Sequence, residues 1–564
     1  PDSLFAYDGQ NTRVLAVIGE EGIGKSTLIN ELGDAVAKRE GYLATGKCHR
    51  MSADIPYGVF IQAFQSLIRQ ILSENEDRLH AWRTALKSDL GPGGRIINEI
   101  IPEAEYLMGP LPPLPEAGPT ETQNRFNMAV KHFIRHFATE DHPLALIIED
   151  IQWADSASME MLYTLATYEE LSHTLFIVTS DDASMRDESS TQKVLDKIAA
   201  AGTRVDLIRL GPLSPDDVSL LVAETLDEES DACRELADCI ALKTAGNPFF
   251  ITQFLRRLHE NGILVHSPGG GWHWYLNRVQ SLCASDNVID LIIEAMRLLD
   301  PEQLEVLKTA AVLGSRFTAE ALAGVSGKSI DRVMEIIGEA IRRELIAREG
   351  DGYAFSHDRI HETLISLFTP EELKIAHYSA ARYFLSYIDA EELDERPFVA
   401  ADHLNQCADL IKDGEERRNA ALLNLKAGIR SKTSTAYVSA LKYLEHAESF
   451  LPADAWKSDY DLAFSVQLEK AEVSYLVGSF PQNGARFMEL MDKARTDIDK
   501  ARVYSLLTVL QTHLHRLSDA VRTGLQGCRI LGIDLPEKPG VLRLLFELVR
   551  IRPDPHQFEK KTEY

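Results

Sequence analysis

Residues 14–26 read Val14-Leu15-Ala16-Val17-Ile18-Gly19-Glu20-Glu21-Gly22-Ile23-Gly24-Lys25-Ser26, an apolar run that breaks into a glycine loop and ends in Lys-Ser. Gly19 to Ser26 fits the spacing GxxxxGK[ST], and Leu28, Leu32 and Val36 continue behind it at helical spacing. Strand, loop and helix in that order are the context this spacing requires. The glycines let successive backbone N–H groups wrap phosphate oxygens at a helix N-terminus. Lys25 then reaches the β and γ phosphates, and the Ser26 hydroxyl ligates magnesium. Gly19, Gly22, Gly24, Lys25, Ser26 and Thr27 are the candidate nucleotide-binding residues, for ATP or ADP with Mg2+.

A second apolar strand, Leu144–Ile148, ends in Glu149-Asp150. Two carboxylates at a strand end suit a Walker B element, in which one acid serves the magnesium and the other activates water. Glu149 is assigned to the metal and Asp150 to the water, with the reverse assignment open; Lys25, Glu149 and Asp150 are thus the candidate catalytic residues.

Short apolar strands alternate with amphipathic helices through the first ~210 residues, the pattern of a parallel α/β sheet. Leu175–Val178 is a third strand; the Pro- and Gly-rich passage from Gly109 to Pro119 reads as a surface loop before a helix at Thr122–Ala138. Residues 1–210 are expected to form this domain. Ser214-Pro215-Asp216-Asp217 carries a cap, a proline for the first helical position and two acids that suit the helix dipole, so a helical lid is expected over 211–284. Ser267–Trp274 reads as a hairpin within it. Helices at Pro301–Leu313, Thr318–Val325 and Ser329–Glu344, followed by strands at Leu345–Arg348 and Tyr353–Phe355, predict a winged helix over 285–368. Beyond it, 369–564 is expected to be all helix. Gly428, Ala440, Leu444, Ala447 and Pro452 follow tetratricopeptide spacing, with poorer copies at Ala471–Ala494 and Tyr504–Leu531.

With these residues in hand, Asp150-Ile151-Gln152-Trp153-Ala154-Asp155-Ser156 resembles the extended Walker B signature of the STAND subclass of AAA+-like signalling ATPases, of the origin-recognition-like type. Pro56-Tyr57, Gln123-Asn124-Arg125-Phe126, Lys243-Thr244-Ala245-Gly246-Asn247-Pro248-Phe249-Phe250 and Phe355-Ser356-His357-Asp358-Arg359-Ile360 are similar to motifs of one branch. That branch is the ATPase region of large multidomain sensor histidine kinases, which carry serine/threonine-kinase-like, GAF and histidine-kinase domains beside it. The resemblance implies a nucleotide-dependent switch, in which Gly246 and Pro248 touch the adenine and His357 contacts the ADP phosphates; slow hydrolysis is expected from a departure at the γ-phosphate sensor. Read without it, Gly246–Pro248 is an ordinary turn, and Ser356 or Asp358 caps a helix while His357 packs. One departure stands out: where the branch carries an arginine that senses the γ phosphate, this chain has Thr179-Ser180-Asp181-Asp182, with Arg186 a few residues on as a substitute.

Composition bounds the alternatives. The 564 residues carry 59 Lys and Arg against 86 Asp and Glu, a formal charge of −27 with no basic run, which disfavours a nucleic-acid surface. No apolar run approaches the ~20 residues of a membrane helix. Six scattered cysteines without a CxxC pair fit reduced thiols in a cytoplasmic chain. The histidines lack metal-ligand spacing, so no metal beyond nucleotide-bound magnesium is expected. Both ends read as cuts from a longer protein, in which protein partners would bind the helical repeats and kinase-type domains would flank the fragment. Rival readings are the ATPase core of a maltose-type transcription regulator and a non-hydrolysing scaffold that holds nucleotide.

Overall fold

The computed structural model describes residues 12–49, 55–115, 119–185, 189–267, 271–283, 296, 299–350, 352–387, 397–477, 480–513 and 516–537. Five parallel strands, β1 (Arg13–Ile18), β2 (Tyr42–Lys47), β3 (Leu144–Glu149), β4 (Thr174–Ser180) and β5 (Arg204–Arg209), make one sheet in the order β2-β3-β4-β1-β5. β1 lies inside the sheet, and its side chains are buried on both faces. Val14, Ala16 and Ile18 join the helices at Gly58–Leu72 and Pro119–Phe137 in the larger core. Leu15 and Val17 pack with Ile29, Leu32 and Val36 of the helix Lys25–Ala37 in the smaller one. Helices on both faces explain why β1, β3 and β4 read as continuous apolar runs, with no polar alternation.

Sequence reading located β1, β3 and β4 and missed the two edge strands. β5 reads Arg-Val-Asp-Leu-Ile-Arg with its first and last residues exposed, and β2 alternates buried and half-buried positions. An edge strand has one partner and one wetted side, so its sequence carries less apolar signal. The passage from Gly109 to Pro115 has no regular structure; the helix after it begins at Pro119, three residues earlier than expected.

Past the sheet, the helix Pro215–Leu226 opens with the expected cap, a reciprocal pair of bonds between Ser214 and Asp217. It packs with the helices Ser230–Thr244 and Pro248–Glu260 around Val222, Leu236, Ile240, Phe254 and Leu258. A two-stranded hairpin follows at Leu264–Ser267 and Gly271–Trp274. Helices Pro301–Leu313, Ala319–Ser326 and Ile330–Arg342 then enclose a separate core with the hairpin Ile346–Glu349 and Gly352–Phe355, to which the short strand Arg316–Phe317 adds a third member. Thr318 and Ser329, expected inside these helices, are their caps.

The chain separates into two compact units, residues 1–446 and 447–564. In the first, the helix Gly414–Thr433 meets Tyr437–Phe450 at Gly428. A Cβ there would stand 2.7 Å from Leu444 Cγ, so the tetratricopeptide spacing marks a real close approach. In the second, helices Tyr460–Leu476, Phe480–Lys493, Asp497–His513 and Leu517–Ile530 follow one another, with Phe464, Leu468, Tyr475, Phe487, Leu490 and Val503 in their core. Among the described residues, no helix is long and apolar enough to cross a membrane.

Candidate functional site

The strand order brings the C-terminal ends of β1, β4 and β3 side by side, the edge of an open α/β sheet at which ligands bind. Residues 19–24 leave β1 as a loop in which Gly22 and Gly24 take φ of 80° and 102°, conformations open to glycine. A Cβ on Gly24 would meet nothing within 4 Å. Lys25, 8% exposed, opens the helix; its ammonium donates to the carbonyls of Gly19 (2.7 Å) and Glu20 (3.1 Å). Burial holds its pKa below the usual lysine value, with Asp150, Glu21 and Asp181 opposing that shift. Ser26 Oγ donates to Glu149 Oε2 at 2.6 Å, across 123 residues of sequence. Thr27 is exposed on the first turn of the helix.

Asp150 follows β3 in the left-handed conformation, φ 55°. Its amide donates to Thr179 Oγ1 of β4 at 2.8 Å, and Gly19 N donates to the Ser180 carbonyl at 3.3 Å, so β4 ties the glycine loop and the acidic turn together. Burial pushes the Asp150 carboxyl up to about 6; Lys47 opposes the shift, its Nζ 3.5 Å away at the end of β2. Lys47 also lies 2.5 Å from Asp358. Burial works against its charge, yet Asp358 and Asp150 outweigh burial and hold the lysine above its ordinary pKa. The spacing of Lys47 to either acid is invisible in sequence, because it depends on the register that sets Lys47 opposite Glu149.

Two later segments reach this rim. Asn247 caps the helix Pro248–Glu260; its Nδ2 donates to the Glu21 carbonyl at 3.0 Å, and Phe249 N donates to the Gly22 carbonyl at 3.2 Å. Pro248 is the first residue of that helix, and the direct contacts on the glycine loop belong to its neighbours. From the segment after the three-stranded sheet, Arg359 Nε lies 2.8 Å from Glu21 Oε2, and the His357 ring stacks on Phe249 with centroids 4.0 Å apart. Burial takes His357 down to about 4, leaving it neutral near pH 7. Its Nδ1 accepts the Arg359 amide, so the helix cap is His357 itself, where sequence pointed to Ser356 or Asp358. Asp181 is drawn into its own turn, accepting from Ser184 N at 2.6 Å, and Asp182 pairs with Arg209 at 3.3 Å. Arg186 lies outside the described residues.

Residues 3–178, which include both the glycine loop and the acidic strand end, match the family model of the AAA ATPase domain. This part of the chain is an AAA ATPase domain. The whole chain is similar to hybrid signal transduction histidine kinase G of Dictyostelium discoideum, 23% identical over 92% of this chain and 19% of that protein. It is also similar to the peroxide stress-activated histidine kinase mak2 of Schizosaccharomyces pombe, 22% identical over 81% of this chain and 20% of that protein. The chain thus spans about a fifth of the length of these relatives. Among solved structures, a signal transduction ATPase with numerous domains and a tetratricopeptide repeat sensor from Pyrococcus horikoshii aligns with 93% of this chain and 76% of its own, at 14% identity and a TM-score of 0.41. A Walker-type ATPase of Pyrococcus abyssi aligns with 64% of this chain and 92% of its own, at 15% identity and a TM-score of 0.29.

The AAA domain's rim suits a magnesium nucleotide on its own chemistry. The loop leaves the backbone clear at Gly24, the lysine beside it donates only to carbonyls among the described residues, and Ser26 and Glu149 put a hydroxyl and a carboxylate together as hard oxygen donors. Buried Ser180 Oγ, at the end of β4 between loop and acidic turn, has no partner among the described residues.

Proposed function

We propose that this chain is the ATP-binding regulatory module of a cytoplasmic signalling protein, a nucleotide-dependent switch that hydrolyses ATP slowly and belongs to a multidomain sensor kinase. The observation that carries the reading is the convergence of three segments on Glu21 and Gly22: the glycine loop itself, Asn247 and Phe249 from the helical lid, and Arg359 from the winged-helix segment. A ligand held by that loop touches a junction of domains, so its identity biases their arrangement. It does so by its differential affinity for the two states.

In this reading the domains run 1–210, 211–284, 285–368 and 369–564. Gly19, Gly22, Gly24, Lys25, Ser26 and Thr27 hold the phosphates, Ser26 and Glu149 serve the magnesium, and Pro248 and His357 line the nucleotide from the lid and winged-helix sides. Bound Mg-ATP supplies an electrophilic γ-phosphoryl group. Asp150 is the group that takes a proton from the attacking water; its carboxyl, lifted to about 6 by burial, is still mostly ionised at pH 7. Where a sensing arginine would follow β4, the chain has Asp181 and Asp182, engaged with Ser184 and Arg209, which supports slow turnover. The kinase relatives support the signalling role, with the helical repeats as the surface for protein partners.

Hydrogen exchange on the whole chain tests the switch. ADP is expected to protect 246–250 and 355–359 as well as 19–27, and His357→Ala to lose the distal protection first. Protection confined to 19–27 and the sheet would favour a scaffold that merely holds nucleotide.

A further inference from the structure

Three motifs set apart in the sequence, Pro56-Tyr57, Gln123–Phe126 and Asp150–Ser156, meet at one buried side chain. Tyr57 precedes the helix Gly58–Leu72 in the left-handed conformation, φ 57° and ψ 17°, and is 4% exposed. Its ring packs on Phe126 with centroids 4.9 Å apart. Its amide is a hydrogen-bond partner of the Asp155 carboxylate, which also accepts from Ala157 N and Ser158 N at 2.9 and 3.0 Å and so caps the helix Ser156–Ala166. Between Asp155 and Asp150 the chain is a single tight turn, closed by Trp153 N to the Asp150 carbonyl at 3.0 Å and Ala154 N to the Ile151 carbonyl at 2.9 Å. Asp150 is therefore anchored at its far side through Asp155 to Tyr57.

The Tyr57 hydroxyl then leaves the ATPase domain. It shares a 3.1 Å hydrogen bond with Thr435 Oγ1, in the turn between helices Gly414–Thr433 and Tyr437–Phe450. Thr435 is 6% exposed and has φ 63°. A β-branched residue in this region is an outlier, since glycine or asparagine would fill the turn with less strain. Strain kept at a buried contact points to a contact that matters. The neighbouring Ala436 belongs to the same apolar core as β3 and the helix Gly58–Leu72, whereas a cleft of about 180 Å³ lies where Gln152–Ser156 face Val438, Ser439 and Lys442. The helical pair is thus fastened at its turn and stands off beyond it.

We infer that Tyr57 is a positioning residue for the turn that carries Asp150, and that Thr435 makes this positioning depend on the seating of the first helical-repeat pair. The inference rests on the reading of the rim as a nucleotide-hydrolysing site. By linkage the dependence runs both ways: a partner that unseats the repeat turn loosens the Asp150 turn, and the nucleotide state changes the seating.

The test uses the whole chain with Tyr57→Phe, Thr435→Val, the double variant, Thr435→Ser and Thr435→Gly. Each hydroxyl deletion is expected to lower kcat for ATP by about tenfold, within the usual range of coupling between sites, at unchanged KM. The double variant should be no worse than either single one, and Thr435→Ser should restore the rate. Thr435→Gly relieves the backbone yet removes the bond, so it should lower kcat without lowering the melting temperature. Without nucleotide, hydrogen exchange over 150–156 should rise in Thr435→Val. Unchanged exchange there, or a fall in melting temperature at constant kcat, would overturn the inference. Absence of ATP binding by the unaltered chain would instead overturn the site reading, and the exchange measurement would still decide the coupling.

Discussion

The rim of the parallel sheet and the helices that begin at Pro370 bury polar groups in opposite ways. At the rim charged groups, buried or half-buried, come together from distant segments: Lys25 between backbone carbonyls, Asp150 against Lys47, and Lys47 shared with Asp358. The helices from Pro370 to Thr433 carry two neutral pairs matched in kind. His377 and His403 share a 2.9 Å contact between their Nδ1 atoms, and Asn405 and Asn424 exchange two amide bonds of 2.9 Å. Burying a charge costs far more than burying a neutral group with a partner, and a fold retains such charges where they act. The helices are built to hold shape; the rim keeps the charges that the proposed nucleotide binding uses.

The largest effect expected from this contrast is at Lys25. Calorimetric titration of Lys25→Ala should show ATP affinity weakened by at least about 100-fold, on the scale of a lost charged phosphate contact, with the helices folded as before. Unchanged affinity would erase the distinction between the two regions.

Acid should break the helices through a buried histidine pair, where the rim carries His357 lowered by burial to about 4. Burial takes His377 down to about 4 and His403 to about 3, so the unfolded chain, with ordinary histidines near 6.5, binds protons first. Stability from this pair is therefore complete above about pH 6.5 and is lost as the pH falls through 4 toward 3. At about 1.4 kcal/mol for each pKa unit, the two depressions set upper figures of about 3 kcal/mol for His377 and about 5 kcal/mol for His403. Exchange protection of the helix Phe398–Gln406, corrected for intrinsic pH dependence, should fall across that window and do so less in His403→Gln. Flat protection would mean that the pair is not neutral when folded.

A finer division lies within the rim, between binding and turnover. Asp150→Asn should leave ATP affinity within about threefold and lower the rate of phosphate release by about 100-fold, the lower range for losing a general base. Release already faster than about 10 per second in the unaltered chain, a typical enzyme rate, would contradict the slow switch.

Much of the fold was legible because its signals are local. The loop 19–26 announces itself by spacing, β3 by an apolar run ending in two acids, and Ser214 by its place before a helix. Gly428 and Leu444 were legible by the fixed spacing of a helical pair. What stayed hidden were the groups whose role depends on pairing: β2 and β5, whose edge positions weaken their apolar signal, and with β2 the lysine at its end.

The sequence by itself determined the chemistry on offer: a glycine loop with Lys25 and Ser26, two carboxylates at the end of β3, and the Ser214 cap that starts the helix Pro215–Leu226. These depend on neighbours a few residues apart, where chain geometry is nearly fixed. Only the tertiary structure decided the partners across 123 residues from Ser26 to Glu149, 311 from Lys47 to Asp358 and 378 from Tyr57 to Thr435. Such contacts follow from sheet register and domain packing, set by the burial of whole cores, and no short window of sequence contains them.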